Sequence, residues 1–138
     1  MGDIVYNSYF KDSAQGNIAI GTHTLKMMLV DGYAPDKSHT KRSDVIADEV
    51  TGTGYSAGGQ AITPSLVQDN VNNKVTVSFE NKTWPAATIT ATGAVIYRSR
   101  GGAASADELL CYIDFGGAVT STADNFTVSL STPITVQN

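Results

Sequence analysis

The sequence predicts an all-β protein: an antiparallel β-sandwich, similar to a jelly roll, with about eight strands and one short helix. Several segments alternate apolar and polar residues, as half-buried strands do. Clusters of Gly, Asn and Asp separate these segments at short intervals, which is typical of hairpin connections. Charged residues make up only 16% of the chain, below the roughly 25% that is usual. Thr, Ser, Asn, Ala and Gly must therefore cover much of the surface.

The N-terminal segment gives the weakest pattern. Ile4, Tyr6 and Phe10 have spacings that suit a strand, but most of the residues around them are polar. Residues 1–20 therefore form either a first strand or an extended arm that orders against a neighbouring subunit. With 138 residues, the chain fits one domain, and we expect residues 1–138 to form a single β-sandwich.

The strand pattern is clearest in five segments: Leu25–Leu29, Lys74–Glu80, Ala87–Arg98, Leu109–Phe115 and Phe126–Leu130. In the second of these, Val75, Val77 and Phe79 are expected to face the core, with Thr76 on the opposite face.

Glycine and proline modify the longer runs. Gly93 is expected to bend its strand or to form a bulge. In that strand, the side chains predicted to share one face are Ile89, Ala91, Val95 and Tyr97. Asp69–Asn73 is predicted to be a hairpin turn. Pro133 interrupts the last apolar–polar run of the chain, so we expect that run to form an edge strand or a crossing strand.

One helix is predicted, over Asp44–Val50. Ser43 precedes it and can cap its first turn. Because such a helix has only about two turns, it depends on tertiary contacts for its stability.

Composition also excludes several classes of protein. The net charge is −4 and the pI is about 4.9, so we expect no direct contact with nucleic acid, which requires clustered Lys and Arg. The first residues are mostly polar, and no apolar run approaches the roughly 20 residues of a membrane span, so we expect neither a signal peptide nor a membrane partner. Cys111 is the only cysteine and is expected to behave as a small buried apolar residue.

The residue types that carry catalysis do not form a recognisable constellation. The only histidines, His23 and His39, lie outside any nucleophile motif. Asp44 and Asp48 share a helical face, but the helix dipole explains Asp44 at an N-terminus. Gly52–Gly59 lacks the Lys-Ser/Thr ending of a phosphate loop. We therefore expect no enzyme, no catalytic residue, no cofactor and no metal site.

Four segments carry a resemblance to a known family. They read T-L-K-M-M-L-V (Thr24–Val30), S-D-V-I-A-D-E-V-T-G-T-G-Y-S-A-G-G-Q-A-I-T-P (Ser43–Pro64), A-V-I-Y-R (Ala94–Arg98) and C-Y-I-D-F-G (Cys111–Gly116). In these segments the chain resembles small structural proteins of tailed-bacteriophage virions, among them jelly-roll capsid cement, or decoration, proteins.

The resemblance implies a virion protein made in the bacterial host cytoplasm. Its partners would be the major capsid protein or another virion subunit, together with a second copy of itself in a homodimer. A neck or tail component is an alternative, and a tail-fibre module that binds carbohydrate or a receptor is another.

The long loop Gly32–Arg42 is the predicted attachment surface, because it has no regular pattern and carries basic residues in an acidic chain. A mobile, solvated loop is the alternative. The residues predicted to make contacts are Tyr33, Lys37, Lys41, Arg42 and Trp84. For Trp84, packing in the core or at its rim is an open alternative.

Overall fold

The computed structural model describes residues 3–129 and 134–137, and it confirms the all-β prediction. Two antiparallel sheets stack in a sandwich-like arrangement, and one α-helix lies near the N-terminus. The strands are β1 (Ile4–Val5), β2 (Leu25–Val30), β3 (Gln60–Ile62), β4 (Pro64–Asp69), β5 (Lys74–Phe79), β6 (Lys82–Arg98), β7 (Leu109–Val128) and β8 (Ile134–Gln137); the helix is α1 (Asn7–Gln15). Short 3₁₀ turns occupy Arg42–Asp44, Ile46–Asp48 and Ala104–Ala106.

The larger sheet has the strand order β1-β7-β6-β2-β3, and the smaller has the order β4-β5-β8. β6 and β7 pair along nearly their whole lengths. On its β6 side, β2 pairs with only the last part of that strand, from Gly93 to Arg98. The other half of the β6–β7 ribbon therefore extends beyond β2. Its inner face packs on the smaller sheet, so that Trp84 and Phe126 lie in one core with Phe79.

A second core lies on the opposite face of the larger sheet. Its buried members are Tyr6, Met28, Val30, Tyr33, Val45, Val95, Tyr97, Leu109 and Tyr112. β2 and the adjoining parts of β6 and β7 are therefore buried on both faces. The prediction of half-buried strands is wrong here, because Met28 and Tyr112 are buried on the face opposite the main core. Burial on both faces accounts for the nearly continuous apolar runs in these strands.

Gly93 forms the predicted irregularity, and its effect is to exchange the faces of β6. The register with β7 shifts between Ala91 and Gly93. Before the shift, Ala91 faces the main core; after it, Ala94 faces that core, while Val95 faces the second core. The prediction that Ile89, Ala91, Val95 and Tyr97 share one face is therefore wrong. A Cβ at Gly93 would overlap the ring of Tyr112, so the position requires glycine.

The N-terminal segment is not an extended arm within the described residues. β1 pairs with β7, and the chain then forms α1, which ends at Gly16 with a φ of 81°. Tyr6 and Tyr9 are buried, whereas Phe10 is exposed. The predicted strand is thus limited to Ile4–Val5. The two tyrosines hold the polar helix against the sheets, which compensates for its weak intrinsic stability.

The predicted helix over Asp44–Val50 is also wrong: the segment forms two 3₁₀ turns. Glu49 bridges Val30, and the Val50 amide donates to the Leu29 carbonyl at 3.0 Å. Because these residues extend alongside β2, the helix cannot continue. Lys41 rather than Ser43 occupies the N-cap.

The β4–β5 hairpin confirms the predicted turn at Asp69–Asn73. The Asp69 carboxylate accepts the amides of Val71 at 2.9 Å and Asn72 at 3.0 Å. Asn73 has a φ of 54°, a conformation that Asn adopts more readily than most residues. Leu130 and Pro133 lie outside the described residues.

We expect Val77→Asp to lower the free energy of unfolding by about 3 kcal/mol or more, because it places an unpaired charge in the main core. Thr76→Asp, on the outer face of β5, should cost much less. Urea unfolding monitored by circular dichroism would measure both. Equal losses in the two variants would contradict the observed orientation of β5.

Candidate functional site

The loop Gly32–Arg42 covers the second core, and Tyr33 is part of that core. Tyr33 is only 7% exposed. Its hydroxyl hydrogen-bonds to the Tyr6 hydroxyl at 3.1 Å and to His39 Nδ1 at 2.8 Å. Its ring meets Tyr112 edge-on, with 5.2 Å between centroids. Burial raises the pKa of both Tyr6 and Tyr33 above the ordinary value. The prediction of Tyr33 as a surface contact is therefore wrong.

The basic residues of the loop differ in their surroundings. Arg42 Nε donates to Asp107 Oδ2 at 2.8 Å, and the guanidinium lies 5.1 Å from the Tyr97 ring centroid. Lys41 Nζ lies 4.0 Å from Glu108 Oε2. The Lys37 side chain is exposed. Arg42, predicted to contact a partner, instead uses its charge within the fold.

The acidic partners, Asp107 and Glu108, are buried at the start of β7. Arg100 binds both oxygens of the Glu108 carboxylate, at 2.8 and 2.6 Å. The backbone amide of Arg100 donates to Asp107 Oδ1 at 2.8 Å. Burial alone raises the pKa of Glu108, but the hydrogen bonds from Arg100 and the charge of Lys41 outweigh it and hold the pKa below 4.5. This cluster fastens the end of the loop to the sheet.

Trp84 is 2% exposed and lies in the main core, so its predicted role as a surface contact is wrong and the core-packing alternative is confirmed. Its ring packs against Tyr55, with 6.0 Å between centroids. The Tyr55 hydroxyl donates to Glu49 Oε2 at 2.7 Å and accepts the Leu29 amide at 3.1 Å. The Trp84 ring is therefore not available for stacking on a sugar.

The glycine-rich turn Gly52–Gly59 is explained by packing. The Gly58 amide donates to Glu49 Oε2 at 2.7 Å, so one carboxylate holds the turn from inside. A Cβ at Gly59 would overlap the Met27 carbonyl, and one at Gly54 would press on the Ala87 backbone. These glycines allow the turn to lie directly on β2 and β6.

The other candidates for chemistry have structural partners. His23 Nδ1 accepts the Ala19 amide at 2.9 Å. Cys111 is fully buried, and burial raises its pKa. Within the described ranges, no group of three or more His, Cys, Asp or Glu side chains could hold a metal ion. In the same ranges, no helix combines the length and apolar composition that crossing a bilayer requires.

A broad, open groove of about 460 Å³ lies between the segment 47–51 and the outer face of the β6–β7 ribbon. It is lined by Asp31, Ala47, Asp48, Glu49, Val50, Thr51, Thr88, Ile89, Thr90, Thr120, Ser121 and Thr122. The Thr90 and Thr120 hydroxyls hydrogen-bond across the strands at 2.9 Å. Thr83 and Thr127 form a similar pair at 3.0 Å. The groove and the outer face of the ribbon thus present paired threonine hydroxyl groups.

The β4–β5 hairpin carries a feature that sequence analysis missed. Seven large apolar side chains are exposed among the described residues, and four of them lie on this hairpin: Leu66, Val67, Val71 and Val75. Val71, at the turn, is 89% exposed. Val75, predicted to face the core, is 37% exposed, so the prediction is wrong for this residue. The signal in the sequence was L-V in β4 and a valine inside the polar turn.

Comparison with known protein families, with curated proteins and with solved structures finds no match to this chain.

We expect Arg42→Ser to lower the free energy of unfolding by roughly 2–4 kcal/mol, because it leaves the buried Asp107 carboxylate without its ion-pair partner. Lys37→Ser, which removes an exposed charge from the same loop, should change stability by less than about 0.5 kcal/mol. Denaturant unfolding at neutral pH measures both. Equal stability of the two variants would contradict the role given to Arg42.

Acid should weaken the fold through Glu108. Its pKa is lowered on folding, so its stabilisation is complete above the unfolded value of about 4.5 and is lost as the pH falls through the folded value. Between about pH 5 and pH 3 the free energy of unfolding should fall more steeply in the wild type than in Glu108→Gln. Parallel pH profiles would show that Glu108 does not contribute.

Proposed function

We propose that this chain is a structural protein of a tailed-bacteriophage virion: a cement protein that binds the head shell and slows the separation of its subunits. Four sequence segments resemble that family. The structural observation that supports the proposal best is the hydroxyl-rich outer face of the β6–β7 ribbon. Threonine hydroxyls can hydrogen-bond to a neighbouring subunit, and ordering their short side chains costs little entropy.

The internal use of charge supports the same proposal. The acidic residues Asp107, Glu108 and Glu49 are bound by groups of the same chain. The loop Gly32–Arg42 is fixed to the sheet through Arg42 and Tyr33. A surface that is already ordered loses little freedom on binding, which favours a permanent contact in a particle.

A tail-fibre module that recognises carbohydrate receives less support. Sugar recognition by stacking requires an exposed aromatic face, whereas Trp84, the aromatic residue predicted to make contacts, is buried in the main core. A neck or tail position in the virion uses the same kind of subunit contact as a head position. Direct imaging of the particle distinguishes these positions.

The test uses particles that lack this chain, supplied with recombinant protein. Wild-type protein should appear as density on the head in cryo-electron microscopy and should raise the temperature at which the heads release DNA. The double variant Thr90→Lys/Thr120→Lys should bind at least about tenfold more weakly, because two ammonium groups must be desolvated in the contact. A matched pair of lysines, Ser105→Lys/Thr22→Lys, lies at exposed positions near the Arg98 end of the ribbon, outside the Thr90–Thr120 face, and should bind as the wild type does.

Thermal melting of each variant checks that it remains folded. If Thr90→Lys/Thr120→Lys bound the heads at wild-type occupancy, the outer face of the ribbon would not be part of the contact surface. Density at the neck or tail and none on the shell would overturn the cement assignment. A glycan array that bound the wild type would favour the carbohydrate-binding alternative.

A further inference from the structure

The free edge of β4 is the most accessible place in the described fold for another strand to add. β4 is the outer strand of the smaller sheet, with β5 on its other side. Its pairing with β5 is regular from Pro64 to Asp69, without a bulge. Lysine, which commonly protects an exposed edge, is absent from P-S-L-V-Q-D.

The other edges of described strands are shorter or irregular. β1 has two residues and β3 has three. The outer edge of β7 is long, but Gly116, Gly117 and Ala123 have φ values of 79°, 155° and 49° and accompany shifts in its register. Such bulges turn an edge away from further pairing.

The hydrogen bonds beside β4 show which of its backbone groups face outwards. The Glu80 amide donates to the Thr63 carbonyl at 3.3 Å, and the Thr63 amide donates to the Glu80 carboxylate at 2.9 Å, so Thr63 directs its backbone groups towards β5 and its extension. Hydrogen-bonded pairs alternate along an antiparallel ladder, and Val67 therefore also bonds to β5. Leu66 and Gln68 direct their N–H and C=O groups away from the sheet. Pro64, which lacks an N–H, occupies an equivalent outward position, as proline on an edge strand does.

We propose that two copies of this chain pair through β4, antiparallel and about a two-fold axis, to form a continuous sheet of both smaller sheets. Leu66 of each copy would exchange N–H···O bonds with Gln68 of the other. Val67 would then lie on the axis opposite its counterpart, with Cα atoms about 4.5 Å apart. Asp69 would lie opposite Ser65 of the second copy, so the carboxylates do not oppose each other.

The side chains favour a second copy as the occupant of this edge. Leu66 and Val67 are 52% and 54% exposed, and the pairing covers both. The contact is isologous, because the same strand supplies both sides. The use of this pairing in a particle rests on the proposed function. The pairing deepens that function by naming one of the protein's partners, a second copy of the same chain.

Charge placed on the axis tests the pairing. Wild-type protein should sediment as a dimer at high concentration and dissociate on dilution. Val67→Lys and Val67→Glu should each weaken self-association by about tenfold or more, since like charges meet on the axis. An equimolar mixture of the two variants should recover a heterodimer. Val71→Lys adds the same charge at the exposed turn of the hairpin and should dimerise as the wild type does.

A second variant tests the backbone bonds. Gln68→Pro removes an outward N–H, leaves the bonds to β5 in place, and should yield a folded monomer. A wild-type protein that stays monomeric at its solubility limit would overturn the pairing, as would undiminished dimers of Val67→Lys. A monomeric wild type that still binds heads would leave the cement function standing. A wild-type protein that dimerises but does not bind particles would contradict the cement function and leave the proposed pairing intact.

Discussion

The pairing of β6 with β7 is the interaction on which the rest of the structure depends. These strands form a ribbon that belongs to both layers: near Ala94 and Ile113 it is the centre of the larger sheet. Near Trp84 and Phe126 it covers the smaller sheet. The two cores of the molecule therefore share one pair of strands. Loss of register in this ribbon would expose both cores at once, so we expect the two layers to unfold together.

Sequence periodicity predicted the class of fold and several strands, because alternation reports burial on one face of a sheet. It failed where burial changes along a strand. Residues before Gly93 have one face on the core, whereas those after it are covered on both. A bulge shifts the period by one residue, and the overlap that a Cβ at Gly93 would make with the Tyr112 ring explains why glycine occupies that position. The misassigned helix at Asp44–Val50 has a similar origin, since pairing with β2 overrides local preference.

The candidate site was harder to predict than the fold. Tyr33, Arg42 and Trp84 belong to residue types that are common in contact surfaces. Residue type alone does not show what lies beside a side chain in the fold. The partner of Arg42 is Asp107, distant in sequence. Lys37 alone among the predicted contacts is exposed as expected. Exposed apolar side chains lie instead on the β4–β5 hairpin, whose turn was predicted but whose apolar surface was not.

Cys111 lies on β7 within the main core, is fully buried and is the chain's only thiol. A thiol reagent can reach it only when the shared ribbon separates from its neighbours. The rate of modification in the native protein would thus record how often the centre of the fold opens, without an introduced probe. Slower modification of the chain when it is bound to a partner would report how far binding restrains that opening.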